Sequence, residues 1–385
     1  MLREKRYQTE TMKKRILSLD ILRGLTVALM IIVNNPGSWS NIFPPLRHAA
    51  WDGCTPTDLV FPFFLFCVGA SMVFSLDRFE TLNAKAAAKI FKRGAGIFLV
   101  GLALNAFPFF PLWPDPELSA WQNWLRWLSD LRIFGVLQRI ALCYIVASVI
   151  VLWLRKEPKK IIIAMAALCA AHVASLLLFA GPEGAFTLEG CAARKLDEAL
   201  FGASHLYDGY RYADGTRAAF DPEGLLGVLT GTCTALAGYL AGQILRRSEE
   251  TPMKIARLYT WAAVSLALSQ VLSIWIPVNK PLWSVSYVFF TAGWAMFVLA
   301  FMTWMTDVKG WVKPFTPLRA FGMNPLAIYS LSTLMAITIG SLIGWNYSAV
   351  FGANEWMSLL YAVLFMLFHL AVAMILYKRN IVIKL

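Results

Sequence analysis

The sequence contains little charge for its length. Only 15% of its 385 residues are charged and 58% are hydrophobic, whereas a soluble domain carries about 25% charged residues. A soluble fold of this composition would expose too much apolar surface to water. The sequence therefore predicts an integral membrane protein.

The motifs of many familiar enzymes are also absent. We find no GxxxxGK[ST] phosphate loop, GxGxxG fingerprint, GxSxG elbow or HExxH pair. The four histidines and six cysteines are too scattered to predict a metal site. Only Cys54 and Cys191 fall in predicted outer loops, and the sequence leaves open whether they form a disulfide.

Ten apolar stretches are long enough to cross a bilayer, which takes about 20 residues each. They predict an all-α, polytopic membrane bundle of about ten transmembrane helices. The first follows a basic tail and lacks a small-residue cleavage site, so we expect a retained helix and not a signal peptide. The predicted spans are 16–34, 57–76, 94–113, 134–154, 161–180, 224–245, 258–276, 282–305, 320–344 and 356–377.

The basic residues predict the orientation of these helices. Of 35 Lys and Arg residues, 25 lie in the tails and in alternate loops, and the intervening loops hold eight. Because positive charge is retained in the cytoplasm, both termini are predicted to be cytoplasmic, and the net charge of +12 does not indicate nucleic-acid binding. The predicted division is a basic tail 1–15, a transmembrane domain 16–377 with extracytoplasmic loops 35–56, 114–133 and 181–223, and a tail 378–385.

Two of the outer loops carry further features. In the first, Trp121, Trp124, Leu125 and Leu128 share one helical face, which predicts an amphipathic anchoring helix at headgroup depth. The other, 181–223, is long enough to cover a site.

Polar side chains are costly at membrane depth and tend to mark function. Here they cluster at the predicted outer ends of five stretches: Asn34; His48, Trp51 and Asp58; Gln138 and Arg139; Asp221 and Glu223; and Asn279, Lys280 and Trp283. The sequence predicts that these stretches converge on one pocket.

Each of these residues also has a structural alternative. His48 could be an interfacial histidine, and His172 and His369 lie in apolar surroundings typical of packing residues. Arg139 is predicted to pair with Asp58, Asp221 or Glu223, since an unpaired guanidinium would be costly there. The residues alone fit a transferase and a transporter equally well.

Longer strings resemble one known family. SLDILRGLTVALMIIVN, HAAWDGCTPTDLVFPFF, GVLQR, HLY, FDPEGLLG, PVNKPLWSVSYV and GMNP are similar, in the same order, to strings of the heparan-α-glucosaminide N-acetyltransferase family. The resemblance runs from about Arg15 to the C-terminus. It implies transfer of acetyl from cytosolic acetyl-CoA to the amine of a glucosamine-type sugar at the extracytoplasmic face.

The resemblance also implies the site and its partners. The family histidine corresponds to His48, and we expect Asn34 and Asp58 beside it as catalytic residues. The expected partners are acetyl-CoA, an amino-sugar acceptor and the lipid bilayer, with a homodimer left open, no metal and no nucleic acid. The expected substrate-binding residues are Trp51, Gln138, Arg139, His205, Asp221, Glu223, Asn279, Lys280 and Trp283.

The chemistry requires a base, because a protonated amine cannot attack a thioester. The imidazole of His48 could deprotonate the amine or take the acetyl group first, and Asn34 could stabilise the oxyanion. Lys85, Lys89, Lys92 and Arg93 could hold the CoA phosphates, although retention of positive charge in the cytoplasm explains them equally well.

The chain departs from the lysosomal member of the family in lacking the large lumenal N-terminal domain. We therefore expect a bacterial-type homologue in the cytoplasmic (inner) membrane, acting on a free amino sugar or a cell-wall fragment. The alternative is a carrier for amino sugars or related solutes that uses the same pocket without group transfer.

Overall fold

A computed structural model describes residues 16–383, and helices make up their regular structure apart from two isolated bridges. The predicted tail 1–15 and the last two residues of the predicted tail 378–385 lie outside this part. The long helices are α1 Leu17–Asn34, α2 Val60–Ser75, α3 Ala84–Ala106, α5 Val136–Trp153, α6 Pro158–Leu178, α8 Gly227–Arg246, α9 Thr251–Leu272, α10 Val285–Thr303, α12 Pro325–Ile337 and α14 Glu355–Lys378. The short ones are α4 Ala120–Ser129, α7 Ala192–Phe201, α11 Thr316–Met323 and α13 Tyr347–Phe351.

Within residues 16–383, nine helices are long and apolar enough to cross a membrane once the short 3₁₀ and π extensions of α2, α10 and α12 are included. The remaining long helix, α3, has 23 residues but carries four basic side chains in its first half. The predicted all-α polytopic bundle is confirmed, and the protein is an integral membrane protein.

The third predicted span is displaced in the structure. We predicted 94–113, but α3 begins at Ala84, where the Asn83 side chain accepts a hydrogen bond from the Ala86 N–H, and it ends at Ala106. The apolar pattern missed the first ten residues because four basic side chains interrupt the hydrophobic run, although alanine and lysine both favour a helix. Pro108, which lacks an N–H, follows the end of the helix.

The ninth predicted span, 320–344, is broken in the structure. Helix α11 ends at Met323 and α12 begins at Pro325, because a proline starts a helix readily but disfavours helical backbone in the residue before it. The buried side chain of Asn324 occupies the break. Its amide donates to the Ile381 carbonyl at 2.9 Å and its oxygen accepts the Ile383 N–H at 2.8 Å.

Helices α2 and α8 are packed backbone to backbone. A Cβ added to Gly69 would lie 1.8 Å from the Ala235 carbonyl oxygen, and one added to Gly238 would lie 2.0 Å from the Phe66 carbonyl oxygen. Small residues permit such an approach between membrane helices, where dispersion contacts replace the hydrophobic effect as the source of cohesion. This pair forms the centre of the bundle and fixes where the outer ends of both helices lie.

We expect Gly69→Val to reduce the yield of folded, monodisperse protein and to destabilise it by about 1–3 kcal/mol or more, since neither backbone can move without unpacking the pair. Thermal unfolding in detergent measures the effect. The matched control is Gly96→Val on α3, where an added Cβ meets nothing within 4 Å. Equal stability of the two variants would contradict the close packing of α2 and α8.

Candidate active site

A cavity of about 330 Å³ lies at the end of the bundle where α1 ends and α2, α5 and α10 begin. Five separate segments contribute to its wall. The lining residues are Met30, Val33, Asn34, His48, Ala49, Thr57, Asp58, Val60, Phe61, Arg132, Val136, Tyr207, Tyr210, Pro222, Glu223, Lys280 and Pro281. The structure therefore brings together Asn34, His48, Asp58, Glu223 and Lys280 from the set predicted by sequence.

The centre of the cavity wall is a cluster of three ionisable side chains. His48 Nδ1 lies 2.6 Å from Asp58 Oδ1, and Lys280 Nζ lies 2.9 Å from His48 Nδ1 and 3.3 Å from His48 Nε2. Lys280 Nζ is also 3.4 Å from Asp58 Oδ1. Since a carboxylate only accepts hydrogen bonds, His48 Nδ1 carries the proton and Nε2 is the basic nitrogen.

Asp58 is almost fully buried, with 1% of its surface exposed, and hydrogen bonds hold its carboxylate in place. Its Oδ2 accepts the N–H of Ala49 and the N–H and hydroxyl of Thr55, at 3.0, 3.0 and 3.1 Å. Thr55 and Asp58 form a capping box at the 3₁₀ turn Pro56–Leu59 that leads into α2. The Tyr287 hydroxyl donates to the Asp58 carbonyl at 2.6 Å. The carboxylate is therefore aimed at His48 by the backbone itself.

Lys280 reaches the cluster from a loop that is tied to the His48 loop. The Gly53 N–H donates to the Val278 carbonyl at 2.7 Å, and the Asn279 amide donates to Asp52 Oδ1 at 3.1 Å. Burial lowers the pKa of Lys280 below its usual value, and the opposing attraction of Asp58 does not offset this. A lysine in this position gives up a proton more easily than one in water.

The opposite wall carries an ion-pair group of Arg132, Asp221 and Glu223. The sequence had predicted Arg139 as the partner of these carboxylates, but the structure shows Arg132 in that position. Arg132 donates to both carboxylate oxygens of Asp221, at 2.8 and 2.7 Å, and to Glu223 at 2.6 Å. Although burial disfavours its charge, these carboxylates hold the pKa of Arg132 above its usual value. Arg132 was not predicted, because nothing in the sequence indicated which of two arginines seven residues apart would face the carboxylates.

Within residues 16–383, Arg139 contacts no carboxylate, contrary to the prediction. Its guanidinium is buried and donates to the carbonyls of Pro222, Glu223 and Gly224, at 3.0, 3.3 and 2.8 Å. The charge also lies 5.3 Å from the ring centre of Trp283. Carbonyl dipoles and an aromatic face stabilise the cation here, so Arg139 fixes the turn that presents Glu223 to the cavity.

The segment 181–223 covers one side of the cavity. Tyr207 and Tyr210 from this segment line it, and the Tyr207 ring packs against the Arg132 guanidinium at 4.5 Å. Trp51 ties the segment to the His48 loop, because its indole N–H donates to the Phe186 carbonyl at 2.7 Å. The repeated tyrosines of this loop were the signal in the sequence that could have indicated an aromatic wall.

Several residues predicted to bind substrate lie behind the cavity wall. Gln138 donates to the Ile133 carbonyl, His205 Nδ1 bonds the Leu131 carbonyl, and the buried Trp283 donates to the Thr234 hydroxyl. None of these three, nor Trp51, Arg139, Asp221 or Asn279, is among the lining residues of the cavity. Their contacts shape the loops that carry the lining side chains.

The two cysteines of the predicted outer loops form no disulfide within the described residues. Cys54 and Cys191 are both free thiols. Burial, with the charge of Asp58 adding to it, raises the pKa of Cys54 to about 12. A thiol that stays protonated at neutral pH is a poor nucleophile, so Cys54 is unsuited to carry an acyl group.

Comparison with known proteins confirms the family resemblance. Residues 15–186 match the family model described as "Heparan-alpha-glucosaminide N-acetyltransferase, catalytic". A Mus musculus protein named heparan-alpha-glucosaminide N-acetyltransferase is 30% identical over 373 residues, which cover 84% of this chain and 54% of that protein. The Homo sapiens protein of the same name is 30% identical over 375 residues, covering 84% and 53%. The chain thus spans about half the length of these curated relatives.

Asp197 is fully buried and lies next to the turn that carries Glu223. One of its carboxylate oxygens accepts the Leu225 N–H at 2.9 Å, and the other has no hydrogen-bond partner within the described residues. Burial raises the pKa of Asp197 from 3.8 to about 7, with the charge of Asp221 adding to it. The folded protein therefore holds this carboxyl in its neutral form up to about neutral pH.

We expect Asp197 to make a contribution to the free energy of unfolding that falls as pH rises from about 4 to about 7, because in this window its carboxyl ionises in the unfolded chain only. The slope from this group is at most about 1.4 kcal/mol per pH unit. Asp197→Asn keeps an acceptor for Leu225 and should flatten the profile, measured as apparent melting temperature from pH 4 to 8. Glu198→Gln, on the same helix but with its side chain 44% exposed, should keep the slope of the original chain. An unchanged slope in Asp197→Asn would refute the assignment.

Proposed function

This chain is related to the heparan-α-glucosaminide N-acetyltransferases, and from that relationship we propose that it transfers an acetyl group from acetyl-CoA to the amine of a glucosamine-type sugar. The observation that supports this most strongly is the contact of His48 with Asp58 and Lys280 at the wall of a 330 Å³ cavity. This volume lies near the lower end of the range of about 300–1,000 Å³ seen for small-molecule sites.

His48 is proposed as the base that activates the amine. Asp58 holds Nδ1–H, which leaves Nε2 to accept a proton, and 47% of the His48 side chain is exposed to the cavity. Orienting an imidazole with a buried carboxylate is the arrangement by which other acyl-transfer enzymes fix the tautomer and stabilise the imidazolium. Proton transfer to Nε2 would free the amine lone pair to attack the thioester carbonyl. As the C–N bond forms and the C–S bond breaks, the departing CoA thiolate would take the second proton that the nitrogen loses.

Asn34 and Lys280 are proposed to stabilise the charge that develops on the thioester oxygen. Asn34 is the last residue of α1, is exposed and lines the cavity, and among the described residues its amide makes no hydrogen bond. Lys280 is held 3.4 Å from Asp58 by its loop. Preorganised donors of this kind contribute about 10²–10³ in rate each.

The acceptor is proposed to bind against the opposite wall. Glu223 offers a carboxylate to the ammonium form of the amine, and Tyr207 and Tyr210 offer apolar faces to a sugar ring. Two of the residues first predicted to contact substrate, Arg139 and Asp221, support this wall through Glu223 and Arg132.

The proposed topology places this cavity outside and the donor pool inside. Both termini and the basic loops would be cytoplasmic, with 35–56, 114–133 and 181–223 on the other side of a bacterial inner membrane. Lys85 and Lys92 are exposed on α3 and are candidates for the CoA phosphates. Lys89 and Arg93 already contact the Ser75 carbonyl and the Tyr144 ring.

We expect His48→Ala to lower acetylation of glucosamine from radiolabelled acetyl-CoA by about 10²–10⁴, the usual effect of losing an acid–base group. Melting temperature should change little, because half of the side chain is exposed.

His369→Ala is the control, since His369 Nδ1 bonds the Phe365 carbonyl of its own helix and His369 does not line the cavity. It should retain its activity per folded molecule. His172 is a poorer control because it contacts the Leu282 carbonyl beside the Lys280 loop. Normal turnover by His48→Ala would refute the proposed role.

We also expect CoA to raise the melting temperature of the detergent-solubilised protein. A ligand that binds only the folded state adds about 2.7 kcal/mol at one hundred times its Kd. The shift should persist in His48→Ala, because the proposed base acts on the acceptor and not on the nucleotide. No shift at millimolar CoA would favour a carrier that performs no group transfer.

A further inference from the structure

A second, larger cavity of about 560 Å³ lies between α6, α8, α9 and α10. We name it the crevice. Apart from Ser265, Gln243 and Arg247, the residues that line it are apolar. Such a lining fits an apolar ligand.

One end of the crevice adjoins a basic chamber of about 320 Å³. The two cavities share Pro158, Gln243 and Arg247, and the chamber adds Lys156 and Arg246 to its wall. Arg246 is paired with Asp77 and Arg247 with Glu249. Lys156 Nζ contacts a backbone carbonyl, that of Asp77 at 3.2 Å. Apolar and cationic surfaces are therefore continuous.

The backbone holds Lys156 in an uncommon conformation at this junction. Its φ is +61°, a left-handed value that disfavours side chains with a Cβ. The Lys156 N–H donates to the Val151 carbonyl at 2.7 Å, and its carbonyl accepts from Gln243 at 3.1 Å. Strain that is fixed by the surrounding contacts tends to occur where a site presents a side chain.

The crevice has the length of one leaflet. Its lining extends from Cys233 on α8 to Arg247, the residue after that helix, and at 1.5 Å per residue this is about 20 Å. Half of a bilayer with its headgroups is about 20–22 Å thick. A phosphate at the basic chamber would therefore place an acyl chain along the whole crevice.

We propose that the crevice and the basic chamber form a binding site for one anionic phospholipid, with its phosphate at Lys156 and Arg247 and one acyl chain between α6, α8 and α9. Basic pockets between membrane helices select anionic headgroups. This site is separate from the His48 cavity and does not depend on the proposed acetyl transfer.

The charge test uses delipidated protein in detergent, titrated with phosphatidylglycerol or phosphatidylcholine and followed by native mass spectrometry. The original chain should retain one phosphatidylglycerol in preference to phosphatidylcholine. Replacing both Lys156 and Arg247 by Ala should weaken retention by roughly 30-fold, since each basic residue near a membrane surface contributes about 1 kcal/mol. Arg257→Ala is the matched control, because Arg257 also pairs with Glu249 but lines neither cavity.

The apolar half of the site is tested with neighbouring alanines on α6. Ala166 lines the crevice and Ala167 does not, and both are exposed. Ala166→Trp should fill the crevice and abolish retention, whereas Ala167→Trp should leave it unchanged. Retention of both lipids alike, or equal retention by these two variants, would overturn the proposal. Displacement of phosphatidylglycerol by millimolar CoA would assign the basic chamber to a nucleotide and would overturn it as well.

Discussion

The carboxylate of Asp58 accepts three hydrogen bonds from Ala49 and Thr55 and contacts His48 and Lys280, while almost none of it reaches solvent. A buried charge is tolerated only when it is paired and fully hydrogen-bonded. Together these partners satisfy the carboxylate and keep it ionised. The hydrogen bonds to Asp58 also fix the His48 tautomer and the distance between His48 and Lys280. The arrangement of side chains on this wall therefore follows from the hydrogen-bonding needs of the Asp58 carboxylate.

Such order in the loops requires helices that do not shift beneath them. Gly69 and Gly238 let α2 and α8 approach until their backbones touch, and any rotation there would move the Pro56–Leu59 turn that carries Asp58. Arg139 performs a similar task from α5, because its three carbonyl contacts hold the turn 222–224. Polar groups inside the bundle thus act on the site indirectly, because they fix the segments whose side chains line the cavity.

Hydropathy predicted most of the helices because the bilayer imposes a length that a sequence can reveal. Hydropathy failed at α3, where four basic residues occupy the first half of the helix. It also failed at Asn324, where one residue separates α11 from α12. Residue type and depth likewise predicted that His48 and Lys280 would converge. The sequence could not predict that Arg132, and not Arg139, would pair with Asp221. This pairing depends on how the loop that precedes α5 meets the 181–223 segment, and tertiary packing decides that.

The two walls of the cavity carry different charged groups, and each suits a different step of the proposed reaction. Asp58 and Lys280 balance on one wall, whereas on the other Arg132 meets two carboxylates, those of Asp221 and Glu223. The Glu223 carboxylate therefore lines the cavity as an acceptor for a cation, and the wall formed by Asp58 and Lys280 is close to neutral. An amino sugar would enter as an ammonium ion drawn toward Glu223 and would become reactive only after losing a proton. With the proposed base on the neutral wall, binding and deprotonation would fall to opposite sides of one cavity, so the group that holds the cation would not be the group that removes its proton.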